Sequence, residues 1–242
     1  MKAQEQWYSQ RLEQHIGLAR WGTWGAPVLV YPTAGGDAEE IERHGLVDAC
    51  EPLLAAGRVK LYSCDSVAGR AMLAKTGSAE YRIGLLDAFH HCVRSEIVPA
   101  IRADCGGHEL PVITAGASIG AFNAVATLCR FPDVIAAAIG MSGTYDLQGL
   151  FDGAWHDALY FASPLHFVRG LDGTHLDRLR QRFAILASGE GAWEDVGESW
   201  RLAEVLGGKG VPNRVDSWGP DWDHQWPTWQ RMLPQYLDEL TQ

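Results

Sequence analysis

The sequence predicts an α/β fold with a mostly parallel central sheet and helices on both faces. Short apolar runs alternate along the chain with longer segments of helical periodicity. Parallel strands need long crossover connections, and these are usually helices. Several of the runs are apolar throughout, as expected for strands that helices cover on both faces.

The first predicted strand, residues 27–31, shows the pattern behind the strand predictions. Its run PVLVY is bounded by Gly25 on one side and by Pro32 on the other, as expected of a buried strand between turns. The other predicted strands cover residues 59–63, 111–115, 135–141, 183–187 and 213–218. Every connection between them is long enough for a parallel crossover.

The predicted helices occupy these connections. They cover residues 38–56, 79–104, 121–130 and 195–209, and a last helix begins at Pro227. In the fourth helix, Val196, Trp200 and Leu206 recur at helical spacing and make one apolar face. Pro99 is expected to kink the second helix. Residues 142–182, rich in Gly, Asp and aromatic residues, predict an insertion of loops and short helices beside the sheet.

Composition and length limit the classes of function. The 242 residues fit one large domain over residues 1–242, because neither a linker nor a repeat marks a boundary. The net charge of −10 argues against nucleic acid or an anionic membrane surface as a partner. The first residues lack the apolar run of a secretion signal, and the five cysteines form no C-x-x-C pair. We therefore expect a cytoplasmic protein with reduced thiols.

The segment Gly116-Ala117-Ser118-Ile119-Gly120 is a G-x-S-x-G pentapeptide. By itself it is weak evidence, but an apolar strand precedes it and a helix of small residues follows it. A serine at a sharp turn between strand and helix has a strained backbone, and the residues two positions away must lack side chains. This context favours a nucleophile elbow with Ser118 as the nucleophile.

A serine nucleophile needs an imidazole base and a carboxylate that orients it, in the chain order serine, acid, histidine. Of nine histidines, His224 is the one that follows the last predicted strand, so we predict that it is the base. The acid should follow the strand at 183–187, where Glu190, Glu194 and Asp195 are all candidates. Asp195 is also well placed to cap the next helix, and periodicity does not choose among the three.

The remaining requirement is a pair of backbone amides that bind the developing oxyanion. Ile119, directly after the serine, supplies the first amide. The second should come from residues 32–36, after the first predicted strand, where Pro32 has no N–H to offer. We favour the amide of Ala34.

With these residues identified, the chain resembles the esterase branch of the α/β-hydrolase superfamily, which includes esterase D-like enzymes, feruloyl esterases and mycolyltransferases. The resemblance runs from VLVYPTAGG through ITAGASIGAFNA and IGMSGTYDL to DHQWPTWQRMLPQYL. It implies an α/β-hydrolase fold and ester chemistry. It also implies the nucleophile, base and oxyanion amides named above, namely Ser118, His224, Ala34 and Ile119.

The resemblance bears on the acid and on the oxyanion segment as well. It favours Glu194, because residues 189–194 look like the Gly-rich loop in which mycolyltransferases carry their acidic triad member. The match departs from the usual esterase pattern at Pro32-Thr33, which replaces a His-Gly pair.

The working hypothesis is a serine hydrolase that cleaves a carboxylic ester through an acyl-enzyme, with a Ser-Glu-His triad. Two alternatives stay open: an acyltransferase that uses the same triad, and a non-catalytic binding protein on a hydrolase fold. We expect a small-molecule ester as substrate, with no cofactor, metal, nucleic acid or membrane. The sequence leaves open the identity of the substrate and whether the chain forms a homo-oligomer.

Overall fold

A sheet of eight strands forms the centre of the protein, in a computed structural model that describes residues 1–107, 109–151, 153 and 156–242. In chain order the strands are β1 (Lys2–Ser9), β2 (Gln14–Trp21), β3 (Ala26–Tyr31), β4 (Val59–Cys64), β5 (Val112–Ala117), β6 (Ile135–Met141), β7 (Phe183–Ser188) and β8 (Asn213–Ser217). Their spatial order is β1-β2-β4-β3-β5-β6-β7-β8. The strands from β3 to β8 pair in parallel, which confirms the predicted mostly parallel sheet.

The N-terminal strands β1 and β2 form an antiparallel hairpin that the sequence reasoning missed. Strand β2 also pairs antiparallel with β4, so the hairpin extends one edge of the sheet. There is a physical reason why strand β1 was not predicted. Strand β1, KAQEQWYS, lies at the edge and is largely exposed, so it lacks the apolar run that marks a buried strand.

Helices fill the connections between the parallel strands. In chain order they are α1 (Glu40–Arg43), α2 (Leu46–Ala49), α3 (Glu51–Ala55), α4 (Val67–Leu73), α5 (Ala79–Cys92), α6 (Val98–Asp104), α7 (Ile119–Arg130), α8 (Asp157–Ala162), α9 (Pro164–Phe167), α10 (Gly173–Leu179), α11 (Val196–Gly208) and α12 (Trp226–Leu240). The helix predicted over residues 38–56 is divided into three short helices. Gly45, at φ 69°, turns the chain between the first two of them.

The helix predicted over residues 79–104 is present but interrupted. A π-helical turn, Val93–Ile97, lies between α5 and α6, just before Pro99. Proline offers no N–H and its ring crowds the carbonyl four residues earlier, so a locally wider turn fits there. We therefore attribute the π-helical turn to Pro99, which follows it in the chain.

The core lies on both faces of the sheet. Alternate residues of β3 belong to different apolar clusters: Leu29 packs with the cluster that includes α5 and α7, and Val28 packs with the cluster that includes α12. Both residues are fully buried, as expected when successive side chains of a strand point to opposite faces. The prediction of helices on both faces is confirmed.

The segment between β6 and β7 holds α8, α9, α10 and two 3₁₀ turns, Gln148–Phe151 and Val168–Gly170. Residues 152, 154 and 155 of this predicted insertion lie outside the described residues. In the parts of the chain that are described, no helix combines the length and the apolar character needed to cross a bilayer.

Candidate active site

Ser118 lies at the turn between β5 and α7, with φ 57° and ψ −123°. The residues two positions before and after it, Gly116 and Gly120, have no room for a side chain. A Cβ at Gly116 would lie 2.4 Å from the carbonyl carbon of Gly120, and one at Gly120 would lie 2.6 Å from the oxygen of Tyr31. The Ser118 amide donates to the Met141 oxygen at 3.0 Å and fastens the turn to β6. The strained turn has the backbone form that a nucleophile elbow requires.

His224 lies in the loop between β8 and α12. Its backbone amide donates to the Ala192 oxygen at 3.0 Å, which joins this loop to the loop after β7. The imidazole is 23% exposed and meets the Trp229 ring edge to face, with centroids 5.2 Å apart. Burial lowers the pKa of His224, and the Glu194 charge opposes that effect. The neutral form of the ring, which can accept a proton, is therefore favoured.

Glu194 places its carboxylate beside His224. The carboxylate is only 1% exposed, and its Oε1 lies 3.9 Å from His224 Nδ1, an ion-pair distance that is too long for a hydrogen bond. Oε1 accepts a hydrogen bond from Ser142 Oγ at 2.5 Å, and Oε2 accepts one from Ser188 Oγ at 2.8 Å. Both hydroxyls come from the carboxyl ends of neighbouring parallel strands, β6 and β7.

The three acidic residues considered after β7 have different surroundings. Glu190 accepts a hydrogen bond from Ser217, at the end of β8. Asp195 accepts from the Gly197 amide at 2.9 Å and caps α11, the role that its position suggests. Among the described residues, Glu194 alone of the three lies within ion-pair distance of His224.

The serine joins this group through the backbone. Across the described residues, Ser118 Oγ and His224 Nε2 share no hydrogen bond. Ser118 is instead linked to the end of β6 by its bond to Met141, and the next residue, Ser142, contacts Glu194. The structure thus places the Glu194 carboxylate next to the His224 ring. Ser118 is connected to them through Met141, the last residue of β6, and Ser142, which follows it.

The proposed oxyanion amides, those of Ala34 and Ile119, donate no hydrogen bond within the described part of the chain. The segment around Ala34 is held by Glu40, a buried residue that the sequence reasoning missed. Its carboxylate accepts from the Thr33 amide at 2.7 Å and from the Thr33 hydroxyl at 2.8 Å. A Cβ at Gly36 would lie 2.4 Å from the same carboxylate, so glycine lets the loop close around it.

A second support comes from Asp65 and α4, which the sequence reasoning also missed. The Asp65 carboxylate accepts from the amides of Gly17 at 2.7 Å and Ala38 at 3.3 Å, so it joins the hairpin to the segment after β3. A Cβ on Gly69 would lie 2.8 Å from the Ala34 oxygen, which shows how closely α4 approaches. Polar side chains with several backbone partners hold this segment in place.

The residues around the Glu194 carboxylate were missed as well. Trp229 Nε1 donates to Ser142 Oγ at 2.9 Å, and Ser142 itself has φ 49°. Sequence position could have identified Ser142 and Ser188, because they end or directly follow apolar runs at the carboxyl ends of predicted parallel strands. The described residues contain no group of three or more His, Cys, Asp or Glu side chains arranged around a metal ion.

Solved structures of similar architecture identify the fold. A ferulic acid esterase is 17% identical with a TM-score of 0.76, and the match covers 100% of this chain and 97% of that one. An S-formylglutathione hydrolase from Agrobacterium tumefaciens is 12% identical with a TM-score of 0.73, covering 99% and 94%. FphF, a fluorophosphonate-binding serine hydrolase of Staphylococcus aureus, is 13% identical with a TM-score of 0.66, covering 100% and 98%.

The fold is that of the α/β-hydrolases. The similar structures are esterase-like members of this superfamily, so the predicted fold and the predicted resemblance are confirmed. No family model and no curated protein sequence matches the chain. At identities of 12–17% the likeness establishes the architecture.

In an α/β-hydrolase sheet, functional residues are carried by loops at the carboxyl ends of the parallel strands. Here the loops after β3, β5, β7 and β8 carry, in that order, the predicted oxyanion segment, Ser118, the candidate acid Glu194 and His224. The end of β6 adds Ser142 between them. All the candidate residues therefore lie at one end of the sheet.

Proposed function

We propose that the protein is a serine hydrolase that cleaves a carboxylic ester through an acyl-enzyme. Ser118 is the nucleophile, His224 the base and Glu194 the orienting acid. The observation that supports this most is the buried Glu194 carboxylate 3.9 Å from the half-buried His224 ring. Within the described ranges, no Lys or Arg forms an ion pair with this carboxylate, so an imidazolium at residue 224 is the cation that it can stabilise.

The position of Glu194 supports one direction for the proton transfers. Because Nδ1 is the ring nitrogen beside Glu194, Nε2 remains to take the proton from Ser118 Oγ as the oxygen attacks the ester carbonyl. The amides of Ala34 and Ile119 bind the oxyanion that forms. Collapse of the tetrahedral intermediate expels the alcohol, which receives its proton from His224. Water then repeats the sequence on the acyl-enzyme and releases the acid.

The oxyanion assignment depends on which amides are free. Glu40 engages the Thr33 amide, and Pro32 has no N–H, so Ala34 is the first residue after β3 whose amide is available. This supports the role of Ala34 even though Pro32-Thr33 replaces the usual esterase pair. The substrate class that we propose is a small-molecule ester, in keeping with the esterases of similar structure.

A fluorophosphonate probe tests the nucleophile directly. The wild-type protein should be labelled and should hydrolyse p-nitrophenyl acetate, whereas Ser118→Ala should do neither. Ser95→Ala, which removes an exposed hydroxyl, serves as the matched control and should retain both properties. Equal labelling of wild type and Ser118→Ala would remove Ser118 from the mechanism, and an inert wild-type protein would favour the non-catalytic alternative. Product analysis with added alcohols separates hydrolysis from acyl transfer.

A further inference from the structure

We propose that Ser142 and Ser188, here called the serine pair, are positioning residues that hold the Glu194 carboxylate for His224, with Trp229 fixing Ser142. The inference rests on the proposed function and extends it to residues outside the triad. Its starting point is that each oxygen of a carboxylate with 1% exposure accepts a hydrogen bond from a different buried hydroxyl.

The direction of the hydrogen bonds follows from their chemistry. An indole N–H can only donate, so Trp229 Nε1 must use Ser142 Oγ as its acceptor. The single hydroxyl hydrogen of Ser142 is then left for Glu194 Oε1. Trp229 thus determines which way the Ser142 hydroxyl points.

Ser188 completes the arrangement on the other oxygen. Its Oγ lies 2.8 Å from Glu194 Oε2 and 3.0 Å from the Gly189 oxygen, and one hydrogen can serve only one acceptor well. The ionised carboxylate is the stronger acceptor, so the hydrogen goes to Glu194. Both carboxylate oxygens therefore have a hydrogen-bond donor in a site with almost no access to water.

The backbone around Ser142 maintains this orientation. At φ 49° the residue is in the left-handed region, which a serine seldom adopts, and its amide donates to the Ala187 oxygen at 2.8 Å. Such strain persists where the surrounding structure imposes it, and it is concentrated at functional sites. Ser142, at the end of β6, is thus anchored to β7, and its hydroxyl points at Glu194.

The serine pair matters at the moment the imidazolium forms. A charge-assisted hydrogen bond between Nδ1 of His224 and Oε1 of Glu194 requires a distance of about 2.8 Å, shorter than the observed 3.9 Å. Oε1 has lone pairs for both Ser142 and His224, so the ring can approach without breaking the Ser142 bond. Trp229, which contacts the His224 ring and Ser142, joins the base to the serine pair through α12.

The test measures kcat and KM for p-nitrophenyl acetate in Ser142→Ala and Ser188→Ala. We expect kcat to fall about tenfold to hundredfold, the usual cost of a misplaced catalytic group, with KM unchanged. Ser188→Thr, which keeps a hydroxyl on a strand residue, should recover most of the loss. The control is Ser199→Ala, because the Ser199 hydroxyl is buried but has no hydrogen-bond partner among the described residues.

A double-mutant cycle identifies the route of the effect. In a Glu194→Gln background, the Ser142→Ala and Ser188→Ala substitutions should lower kcat no further, because they act through the carboxylate. Losses that multiply would show a purely structural role and overturn the inference, as would wild-type kcat in both serine variants. If the Ser142 variant does not fold, Ser188→Ala and Ser188→Thr decide the question. An inactive wild-type protein would instead overturn the proposed function, and the inference with it.

Discussion

At the scale of single residues, the His224 imidazole is subject to two opposing effects. Burial is the larger and lowers its pKa below the ordinary value of 6.5, while the charge of Glu194 raises it. The balance leaves a neutral ring at neutral pH that still has an anion beside it to stabilise its protonated form. This combination is what a general base for a serine hydroxyl needs.

The first prediction concerns the pH dependence of ester hydrolysis. In the wild type, kcat/KM should fall at acidic pH with a midpoint below about 6.5, because burial lowers the pKa of His224 and the protonated ring cannot accept the serine proton. Glu194→Gln removes the charge that raises the pKa of His224, so its acidic limb should lie at lower pH, with kcat reduced at least about hundredfold. Rates of p-nitrophenyl acetate hydrolysis between about pH 4 and 9 measure both effects.

Glu190→Gln is the matched control for this experiment, since the Glu190 carboxylate binds Ser217 and not His224. Its pH profile should coincide with that of the wild type. A Glu194→Gln profile that is unshifted, or shifted to higher pH, would contradict the assignment of the acid.

The second prediction concerns Glu40, whose carboxylate holds the Thr33 amide and hydroxyl. Glu40→Gln has one acceptor oxygen for these two donors, so the segment that presents the Ala34 amide should loosen. We expect kcat to fall about tenfold to hundredfold, less than the roughly hundredfold to thousandfold cost of removing an oxyanion donor outright, with a small change in KM. Glu39→Gln, at a partly exposed neighbouring position, should leave kcat unchanged. Equal rates in the two variants would argue against this support for the oxyanion segment.

At the scale of secondary-structure elements, the contact between α7 and β3 fixes the position of Ser118. A Cβ added at Gly120 would lie 2.6 Å from the Tyr31 oxygen and 2.7 Å from the Pro32 oxygen. These are backbone atoms in a buried part of the sheet and cannot move aside easily. The approach of α7 to β3 is therefore possible only with glycine at this position.

The third prediction follows from that contact. Gly120→Ala should displace α7, lower the free energy of unfolding by about 1–3 kcal/mol and reduce kcat/KM at least about hundredfold. Gly84→Ala in α5 is the control, because an added Cβ there meets no atom within 4 Å. That exposed helical site should gain about 0.5–1 kcal/mol. Urea unfolding and ester hydrolysis measure the two outcomes, and a stable, fully active Gly120→Ala protein would contradict the packing argument.

The same elements show what the sequence can predict. Strands such as β6 are recognisable because burial on both faces makes them continuous apolar runs, whereas the polar edge strand β1 carries no such signal. The strained turn at Ser118 is predictable, because its G-x-S-x-G motif contains the two glycines that the close packing requires. The residue pattern does not choose among the candidate acids Glu190, Glu194 and Asp195, because their surroundings come from distant parts of the chain, and it is the resemblance that favours Glu194.

At the scale of the whole molecule, a buried histidine links stability to pH. His90 is fully buried in α5, and burial together with the Arg130 charge lowers its pKa to about 3. Arg130 can only donate, so His90 Nδ1 accepts from it at 3.0 Å, and Nε2–H donates to Asn123 Oδ1 at 3.0 Å. These contacts require the neutral ring.

The fourth prediction is that acidification weakens the fold partly through His90. Between about pH 6.5 and 3 the unfolded chain binds a proton that native His90 does not, so His90 alone costs up to about 1.4 kcal/mol of stability per pH unit. His90→Gln should start less stable at pH 7 but lose less on going to pH 5. The surface substitution His15→Gln should follow the wild type. Urea titrations at both pH values measure this, and parallel losses in His90→Gln and wild type would contradict it.

The two outermost strands of the sheet, β1 and β8, have one further consequence. Lys2 on β1 pairs with Glu39 and Glu42, and Arg214 on β8 pairs with Asp216 and Glu239. Charged side chains along an unpaired strand oppose the addition of another strand, since a second copy would have to desolvate them. Addition of a strand from a second molecule is therefore disfavoured at both edges of the sheet.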